Sequence, residues 1–219
     1  CALNCSANGQ AKELFDNVWI MPNPSDAGSA IGAVLSNYNE HIEFKSPYLG
    51  YDIKGKYPVE NTLNALLSSG ICGVANGRAE YGPRALGNRS LFADPRGEHT
   101  KDRVNDIKHR QKFRPFAPVV LEEHAGQLFD GPMGPYMQYT AKCRDTNKYP
   151  AIAHVDGTSR VQVVNKKLHT GLYELLRRWN SATGCPMLLN TSLNIKGKPM
   201  VNDKVDAKEF ALKYGVSVY

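Results

Sequence analysis

The segment from Gly77 to Arg96 carries residue types suited to binding phosphate. It contains four arginines, three glycines and two prolines, and it has no amphipathic period. Arginine presents a planar fork of N–H donors that matches two phosphate oxygens at once, and glycine lets the backbone approach a ligand closely. The alternative is a solvated basic loop. We favour an anion site, because the rigid Gly-Pro-Arg corner at 82–84 has no purpose in a solvated loop.

A second basic segment runs from Lys108 to Arg114 and leads into the apolar stretch 117–121. Prolines at 115 and 118 restrict the backbone that follows Arg114. Cations at the point where an irregular segment enters a strand lie at one end of the sheet, and α/β folds bind ligands at the ends of their strands. For Arg110 and Lys112 a basic helix face in solvent remains an alternative.

Two later segments place polar side chains beside apolar runs. His154 and Asp156 are two residues apart, a spacing more typical of a local hydrogen bond than of a metal site. Arg160 precedes an apolar run and is the better candidate for binding an anion. Further along, an apolar strand ends in Asn190 and Ser192, whose amide and hydroxyl groups can orient a phosphate or a carbamoyl-sized group. An ordinary turn is the alternative for this pair.

The elements that must position these side chains alternate between helix and strand. The pattern predicts helices at 8–15, 26–35, 59–69, 100–107, 122–129, 170–183 and 203–214, with Ser25 or Asp26 capping the second. It predicts strands at 18–21, 71–75, 117–121, 136–143, 161–164 and 187–190, a final extended segment at 216–219, and a linker or surface excursion at 41–58. Such a mixture indicates an α/β or α+β domain with a twisted mixed sheet.

Composition limits the possible partners. A chain of 219 residues that is 42% hydrophobic and 22% charged can bury a substantial core, and its net charge of +6 indicates an anionic partner. Scattered aromatic residues disfavour single-stranded nucleic acid. Five cysteines without a Cys-x-x-Cys pair indicate neither a zinc knuckle nor a disulfide framework and predict a cytoplasmic setting. There is no membrane-spanning run and no signal peptide, and the first residue, Cys1, indicates a portion of a longer protein.

Four strings, in this order, make the chain similar to the O-carbamoyltransferases of the nodulation and antibiotic-tailoring type. They are Gly-Arg-x-Glu-x-Gly-Pro-Arg-Ala-Leu-Gly-Asn-Arg-Ser at 77–90, Phe-Arg-Pro-Phe-Ala-Pro at 113–118, His-Val-Asp-Gly-Thr-x-Arg-Val-Gln at 154–162 and Leu-Asn-Thr-Ser-x-Asn at 189–194. The resemblance extends over residues 47–219 and is specific because all four strings occur together.

The resemblance implies that residues 41–219 form a YrdC-like α/β domain, a twisted mixed β-sheet with flanking helices. Such a domain takes carbamoyl phosphate and ATP, with Mg²⁺, to carbamoyl-adenylate. Residues 1–40 resemble the end of a preceding actin-like ATPase-fold domain, related to the threonylcarbamoyl transferases, which passes the carbamoyl group to a hydroxyl of a small-molecule acceptor. The full-length protein would also hold Fe²⁺ or a similar divalent metal. Neither a membrane nor nucleic acid is expected as a partner.

The resemblance also implies roles for individual residues. The cradle for carbamoyl phosphate and the ATP phosphates would consist of Arg84, Lys108, Arg114 and Arg160. The carbamoyl group or the α-phosphate would be oriented by Asn190 and Ser192. The nucleotide would be contacted by Arg78, Arg89 and Asn4, and the metal by Asp26. Fixed cations of this kind stabilise charge on transferring phosphoryl oxygens without a nucleophilic side chain.

The chain departs from the family pattern at three points. The usual Lys-x-Arg-Glu string appears as Lys-His-Arg-Gln at 108–111, and Gly-Lys-Pro at 197–199 has lysine where the family has glutamate. The family's His-x-x-x-His pair, which completes its metal site, has no counterpart among the six histidines. We therefore expect only the adenylate-forming half-reaction to be intact in this chain.

Two interpretations stay open at the level of sequence. The first is the enzyme portion just described, with a sugar, an aminoglycoside, a cephem or another alcohol as the acceptor. The second is a binding module whose basic groove holds double-stranded RNA or a nucleotide without turnover.

Overall fold

A computed structural model describes residues 1–38 and 43–219 as a mixed α/β structure. The helices are α1 Cys5–Leu14, α2 Asp26–Leu35, α3 Val59–Ser69, α4 Glu98–Lys108, α5 Glu122–Leu128, α6 Thr170–Thr183 and α7 Lys204–Tyr214. The strands are β1 Asp52–Ile53, β2 Ile71–Ala75, β3 Gly77–Arg78, β4 Arg89–Ala93, β5 Ala117–Leu121, β6 Phe129–Asp130, β7 Ala141–Cys143, β8 Thr158–Ser159, β9 Gln162–Val164 and β10 Met187–Ser192.

The central sheet has five strands in the order β2-β4-β10-β5-β9. Strand β4 pairs antiparallel with β2 and β10, β10 pairs antiparallel with β5, and β5 pairs parallel with β9. Two smaller sheets have the orders β1-β3 and β6-β7-β8. The predicted class, a mixed sheet with flanking helices, is confirmed.

The core forms because apolar side chains cover both sides of the central strands. All residues of β2, β4 and β5 are buried. Helix α6 places its apolar residues at helical spacing on one face, and the buried ones are Leu172, Leu175, Leu176 and Trp179. The indole Nε1 of Trp179 donates to the carbonyl oxygen of Met187 at 3.1 Å, so the helix is also hydrogen-bonded to β10. Each fully buried aliphatic side chain contributes about 2 kcal/mol.

One end of the central sheet collects the polar ends of four strands. Ser192 at the end of β10 pairs with Ser90 near the start of β4, and Asn190 pairs with Ala117 at the start of β5. Because β5 and β9 are parallel, the residues that precede β9 lie at this end as well. We call it the polar end of the sheet. The segments that contain Arg84, Arg114 and Arg160 all lead into strands at this end.

The N-terminal segment differs most from the sequence expectation. The predicted strand at 18–21 is wrong, since these residues form no regular structure and the side chain of Trp19 is exposed. Side chains hold the segment instead: Gln138 Nε2 donates to the carbonyl oxygens of Ile20 and Met21 at 2.7 and 3.1 Å. Isolated backbone that finds no partner strand satisfies its carbonyl groups with side chains.

Several other elements differ from the bounds predicted from the sequence. Helix α1 begins at Cys5 rather than at residue 8, and Ser25 occupies the N-cap position of α2 without a capping side-chain bond. The predicted strand 136–143 is reduced to β7, and β4 was not predicted at all. The domain boundary predicted between residues 40 and 41 lies outside the described residues, as does the start of the predicted linker 41–58. In the part of the chain that the structure describes, every helix is too short or too polar to cross a bilayer.

Candidate functional site

Five basic side chains lie near one another at the polar end of the sheet. They are Arg84, Lys108, Arg110, Arg114 and Arg160, and we call them the cationic cluster. Burial, followed by the charges of Arg84 and Arg114, lowers the pKa of Arg160 to about 10. Burial and the neighbouring Arg114 and Arg160 likewise lower the pKa of Arg110 to about 10. Four of these residues were expected to converge, and the structure brings them together.

No carboxylate balances this charge within the described residues. The ion pairs found there involve other lysines and arginines, and none includes a member of the cationic cluster. Grouped cations repel one another and lose hydration when they are partly buried. A bound anion would relieve both costs, so the arrangement is suited to a phosphate ligand.

Lys108 connects the cluster to the end of β10. Its ammonium Nζ donates to the Ser192 carbonyl oxygen at 2.7 Å and to the Ser192 hydroxyl at 3.2 Å, and it also contacts Asn194 Oδ1. Burial and the nearby Arg110 lower the pKa of Lys108 to about 8. Lys108 therefore lies beside Ser192, and Asn194, which no sequence pattern singled out as a site residue, is a further contact of Lys108.

Arg110 is held in place by several contacts. Its Nε donates to Asn105 Oδ1 at 2.9 Å, its Nη2 donates to the Pro115 carbonyl oxygen at 2.8 Å, and its guanidinium lies 3.9 Å above the ring of Phe116. Arg110 therefore belongs to the cationic cluster and not to a basic helix face in solvent. Lys112 is different, because it is exposed and lies near the carboxylates of α4.

Several buried polar atoms in this region have no partner among the described residues. They are the Nε atoms of Arg84 and Arg160 and the Oδ1 atom of Asn190. Arg84 makes one bond, from Nη2 to the carbonyl oxygen of Leu3 at 3.2 Å. An unpaired buried polar atom costs about 1–3 kcal/mol, so a group of them indicates a place completed by a ligand.

Glu80 shapes the loop that presents Arg84. Its Oε1 accepts hydrogen bonds from the backbone N–H groups of Leu86, Asn88 and Arg89 at 2.6, 2.9 and 3.3 Å. Burial raises the pKa of this carboxyl group, and the three backbone donors oppose that rise. The loop 84–89 is thereby folded around a single side chain, which belongs to the motif at 77–90 but carried no predicted role.

The nucleotide contact expected for Arg89 is not supported by its position. Arg89 opens β4 and is fully buried. Its Nη1 and Nη2 atoms donate to five backbone carbonyl oxygens, those of Tyr51, Asn76, Gly77, Asn88 and Asn202. Both Nη groups of Arg89 are used by backbone carbonyl oxygens, while its buried Nε has no partner among the described residues. We therefore correct the role of Arg89 from a nucleotide contact to a structural one. Arg78 lies on β3 with an exposed side chain and lowers the pKa of Asp52 after the larger effects of Lys54.

The remaining predicted residues lie in the N-terminal segment. Asn4 caps α1, since its Oδ1 accepts from the backbone N–H of Ala7 at 3.1 Å. Asp26 is the exposed first residue of α2. No group of three or more His, Cys, Asp or Glu side chains is placed to hold a metal ion within 1–38 and 43–219. The described residues therefore do not fit a metal centre around Asp26.

The pair His154 and Asp156 behaves as the local interpretation suggested. Asp156 Oδ1 accepts from the backbone N–H of Thr158 at 2.9 Å and from its hydroxyl at 2.7 Å. This turn leads into β8 and places Arg160 at the polar end of the sheet. Burial is the largest cause lowering the pKa of His154, and Arg160 and Arg114 act in the same direction.

Comparison with protein families gives two matches. The family model described as "Carbamoyltransferase C-terminus" matches residues 63–219, and the one described as "Carbamoyltransferase N-terminus" matches residues 1–35. The first match covers most of the chain. Arg84, Lys108, Arg114, Arg160, Asn190 and Ser192 all fall within it.

Individual proteins agree with the family match. The chain is 36% identical to nodulation protein NolO of Bradyrhizobium diazoefficiens, over 94% of this chain and 44% of that protein. It is 34% identical to a 3'-hydroxymethylcephem-O-carbamoyltransferase of Amycolatopsis lactamdurans, over 99% of this chain and 45% of that protein. The chain thus spans less than half the length of these relatives.

Solved structures with a related fold include one of HypF. It is a crystal structure of full-length HypF in the phosphate- and nucleotide-bound form, with a TM-score of 0.50 and 14% identity, covering 74% of this chain and 20% of that one. At this identity the likeness concerns the fold alone.

Proposed function

Because this chain belongs to the carbamoyltransferase family, we propose that its cationic cluster binds carbamoyl phosphate and ATP and forms carbamoyl-adenylate. The observation that carries the proposal is the group of five basic side chains without a carboxylate partner among the described residues. Buried unpaired donors at Arg84 and Arg160 support it, because they match the acceptor oxygens of a phosphate.

The proposed reaction needs no nucleophile from the protein. Carbamoyl phosphate and one water molecule give carbamate and inorganic phosphate. A carbamate oxygen then forms a bond to the α-phosphorus of ATP while the bond from that phosphorus to the bridging oxygen breaks, and pyrophosphate leaves. Negative charge accumulates on the transferring oxygens, and preorganised cations lower the barrier by stabilising that charge.

The position of each residue in the cationic cluster determines its role in the proposed reaction. Arg84, Arg160 and Arg114 would bind phosphate oxygens, and Lys108 would hold charge beside Ser192 at the end of β10. A pKa of about 8 keeps most Lys108 side chains charged at pH 7. Mg²⁺, when bound, neutralises phosphate charge. The described residues form no acidic cluster for it, so its ligands would come chiefly from the substrate phosphates.

For the whole protein, we propose that a preceding domain transfers the carbamoyl group to a hydroxyl of a small-molecule acceptor. The match of residues 1–35 to the N-terminal family model supports this, as does the carbamoyltransferase name of a relative. Residues 1–38 already touch the site, since Leu3 accepts a hydrogen bond from Arg84. Asp26 would contribute to a divalent-metal site such as Fe²⁺ only together with ligands beyond those described here.

A direct test uses this chain with ATP, Mg²⁺ and carbamoyl phosphate. We expect pyrophosphate release that depends on carbamoyl phosphate, and detection of the mixed anhydride by mass spectrometry. Arg114→Ala should reduce the release at least tenfold, since it removes one cation that faces developing charge. Arg144→Ala is the matched control, because Arg144 is exposed and its ion pair with Asp130 lies in the small β6-β7-β8 sheet.

The same preparation separates the proposal from a nucleic-acid-binding module. A compact nucleotide pocket should need Mg²⁺ and show a shallow dependence of affinity on salt, whereas a groove for double-stranded RNA makes many phosphate contacts and loses affinity steeply as salt rises. Tight, salt-sensitive binding of double-stranded RNA without pyrophosphate release would replace our proposal with the binding module.

A further inference from the structure

A fully buried amide is bonded to the basic segment that follows α4. Asn105 lies in the last turn of that helix. Its Oδ1 accepts from Nε of Arg110 at 2.9 Å, and its Nδ2 donates to the carbonyl oxygens of Lys112 and Arg114 at 3.2 and 3.4 Å. Both polar atoms of the amide are therefore bonded, which offsets the cost of burying it. Asn105 lies outside the four motif strings and had no predicted role.

The bonds from Asn105 reach an exposed stretch of the chain, since the side chains of residues 111–114 are all exposed. In the part of the chain that the structure describes, the hydrogen bonds that reach these four residues from outside the stretch come from Asn105 and Arg110. Lys112 adds surface ion pairs with carboxylates of α4 at 3.8 and 4.0 Å, which contribute little. An exposed loop with so few anchors depends on each of them for its order.

A neutral amide can hold cations without cancelling their charge. Asn105 joins the guanidinium of Arg110 to the backbone that carries Arg114, so one side chain is bonded to two members of the cationic cluster. A carboxylate at the same place would bond Arg110 more strongly, but it would also neutralise charge that a phosphate ligand needs. The amide therefore fixes the position of the two arginines and leaves both positive charges available to a ligand.

We propose that Asn105 is a positioning residue that holds Arg110 and Arg114 in place before the ligand binds. The inference rests on the proposed function, since it concerns the cations assigned there to phosphate oxygens. A loop that is already ordered loses less conformational entropy when it binds, so its affinity is higher than that of a mobile loop with the same side chains. Loss of the amide should therefore weaken binding although Asn105 itself touches no ligand.

Isothermal titration calorimetry with pyrophosphate tests this role. We expect Asn105→Ala to bind pyrophosphate about tenfold more weakly than the parent chain. The matched control is Asn180→Ala, because Asn180 is also in the last turn of a helix, α6, which leads into the start of β10 and away from the polar end of the sheet. It should bind as the parent does. Equal binding by Asn105→Ala and the parent would overturn the inference alone, whereas absence of binding by the parent would contradict the proposed function and the inference with it.

A double-mutant cycle separates positioning from general damage to the fold. If Asn105 acts through the two arginines, its substitution should matter less once one of them is gone. In an Arg114→Ala background we therefore expect Asn105→Ala to weaken pyrophosphate binding by less than about threefold, because only Arg110 remains to be held. A merely structural role would give the same tenfold loss in both backgrounds, and that result would overturn the inference.

A thermal melt shows whether Asn105→Ala is folded. Should it fail to fold, the unliganded parent decides, because a loop held by Asn105 is ordered before any ligand binds. The Arg114 N–H donates to the Gln111 carbonyl oxygen at 3.2 Å. Hydrogen exchange followed by NMR should find this N–H at least tenfold slower than in an unstructured peptide. Exchange at the peptide rate would show that the loop is not held and would contradict the inference.

Discussion

Arg84 and Arg89 lie five residues apart in one motif, yet the structure uses them in opposite ways. Arg89 is fully buried and its guanidinium donates to five backbone carbonyl oxygens. Arg84 is half-buried and its Nη2 donates to one carbonyl oxygen. The Nε atoms of both arginines are buried without a partner among the described residues, so the difference lies in their terminal Nη groups. Five bonds from the Nη atoms stabilise a fold, whereas Nη groups with few protein acceptors beside another cation are suited to a ligand.

The difference shows that charge alone does not identify a binding residue. What separates the two arginines is whether the protein already supplies acceptors. Near Arg89, the residue before β1, strand β3 and the segment before α7 bring carbonyl groups together around the guanidinium. Near Arg84 the protein supplies one acceptor, the carbonyl oxygen of Leu3, and the neighbouring cation is Arg160. Substitutions can test this difference, because they should change stability at Arg89 and ligand binding in the cationic cluster.

The largest expected effect is on stability. Arg89→Ala should lower the free energy of unfolding by at least about 3 kcal/mol, because several buried carbonyl groups lose their charged donor. Urea titration followed by circular dichroism measures this. Arg84→Ala in the same experiment should change the value by less than about 1 kcal/mol. Equal losses in the two variants would remove the distinction drawn between them.

The second-largest effect is on phosphate binding rather than on stability, and it concerns Arg160. Arg160→Met keeps the apolar stem of the side chain but removes its charge, and it should weaken phosphate binding about tenfold while leaving the unfolding free energy unchanged or higher. The reason is that Arg160 is held among like charges that lower its pKa. Calorimetric titration with phosphate gives the affinity. Arg144→Met, at an exposed position, should bind as the parent does, and a large stability loss in Arg160→Met would contradict the prediction.

A smaller effect concerns pH. Sulfate remains a dianion between pH 7 and 9, so changes in its affinity report the protein. Since burial lowers the pKa of Lys108 from 10.5 to about 8, sulfate affinity should fall a few-fold across this range as the ammonium group loses its proton. Lys108→Arg should abolish the decline. An unchanged slope in that variant would mean that another group titrates.

The same shift predicts the sign of a stability change. Between about pH 8 and 10.5 the unfolded chain holds a proton on Lys108 that the folded chain has released. Protons then favour the unfolded state, so the contribution of Lys108 makes the folded state more stable as pH rises through this window. Comparing the parent with Lys108→Arg by urea titration at pH 7.5 and 10 isolates this contribution from that of the other titrating groups.

The smallest effect is expected on α6, where charges are already paired. Glu174 contacts Arg177 and Arg178 at 3.0 and 2.7 Å, and these arginines lower its pKa to about 2. The two arginines are exposed and Glu174 is partly exposed, and surface pairs of this kind contribute little to stability. Glu174→Gln should therefore change neither the thermal midpoint nor phosphate affinity measurably. A clear loss of phosphate affinity would show that the cationic cluster depends on distant surface charge.

Much of the secondary structure could be read from residue patterns. Helix α3, helix α6 and strands β2 and β5 have the predicted bounds, because long apolar periodicities and short apolar runs identify them. Gly70 and Gly184 end the two helices with φ values of 72° and 69°, a conformation that glycine adopts readily. These signals lie within short stretches of sequence, so they identify helices and strands without knowledge of the tertiary structure.

Strand β4 shows why the rest could not be predicted. It is buried throughout, but it opens with Arg89 and Ser90, so it lacks the apolar run expected of a central strand. The opposite error occurred at 18–21, where apolar residues found no partner strand. Both outcomes depend on which distant segments are available for pairing.

Residue patterns were enough to identify the family, the mixed α/β class and the set of basic residues from which a phosphate site could be built. Which of those residues remain available to a ligand depends on the tertiary contacts. Arg89 was surrounded by carbonyl oxygens from distant segments, Arg110 was drawn into the cationic cluster, and the Asn190 amide was bonded to Gln162 and to the carbonyl oxygen of Ala85. The physical reason is that the cost of burying a polar group depends on the partners that surround it, and those partners come from parts of the chain far apart in sequence.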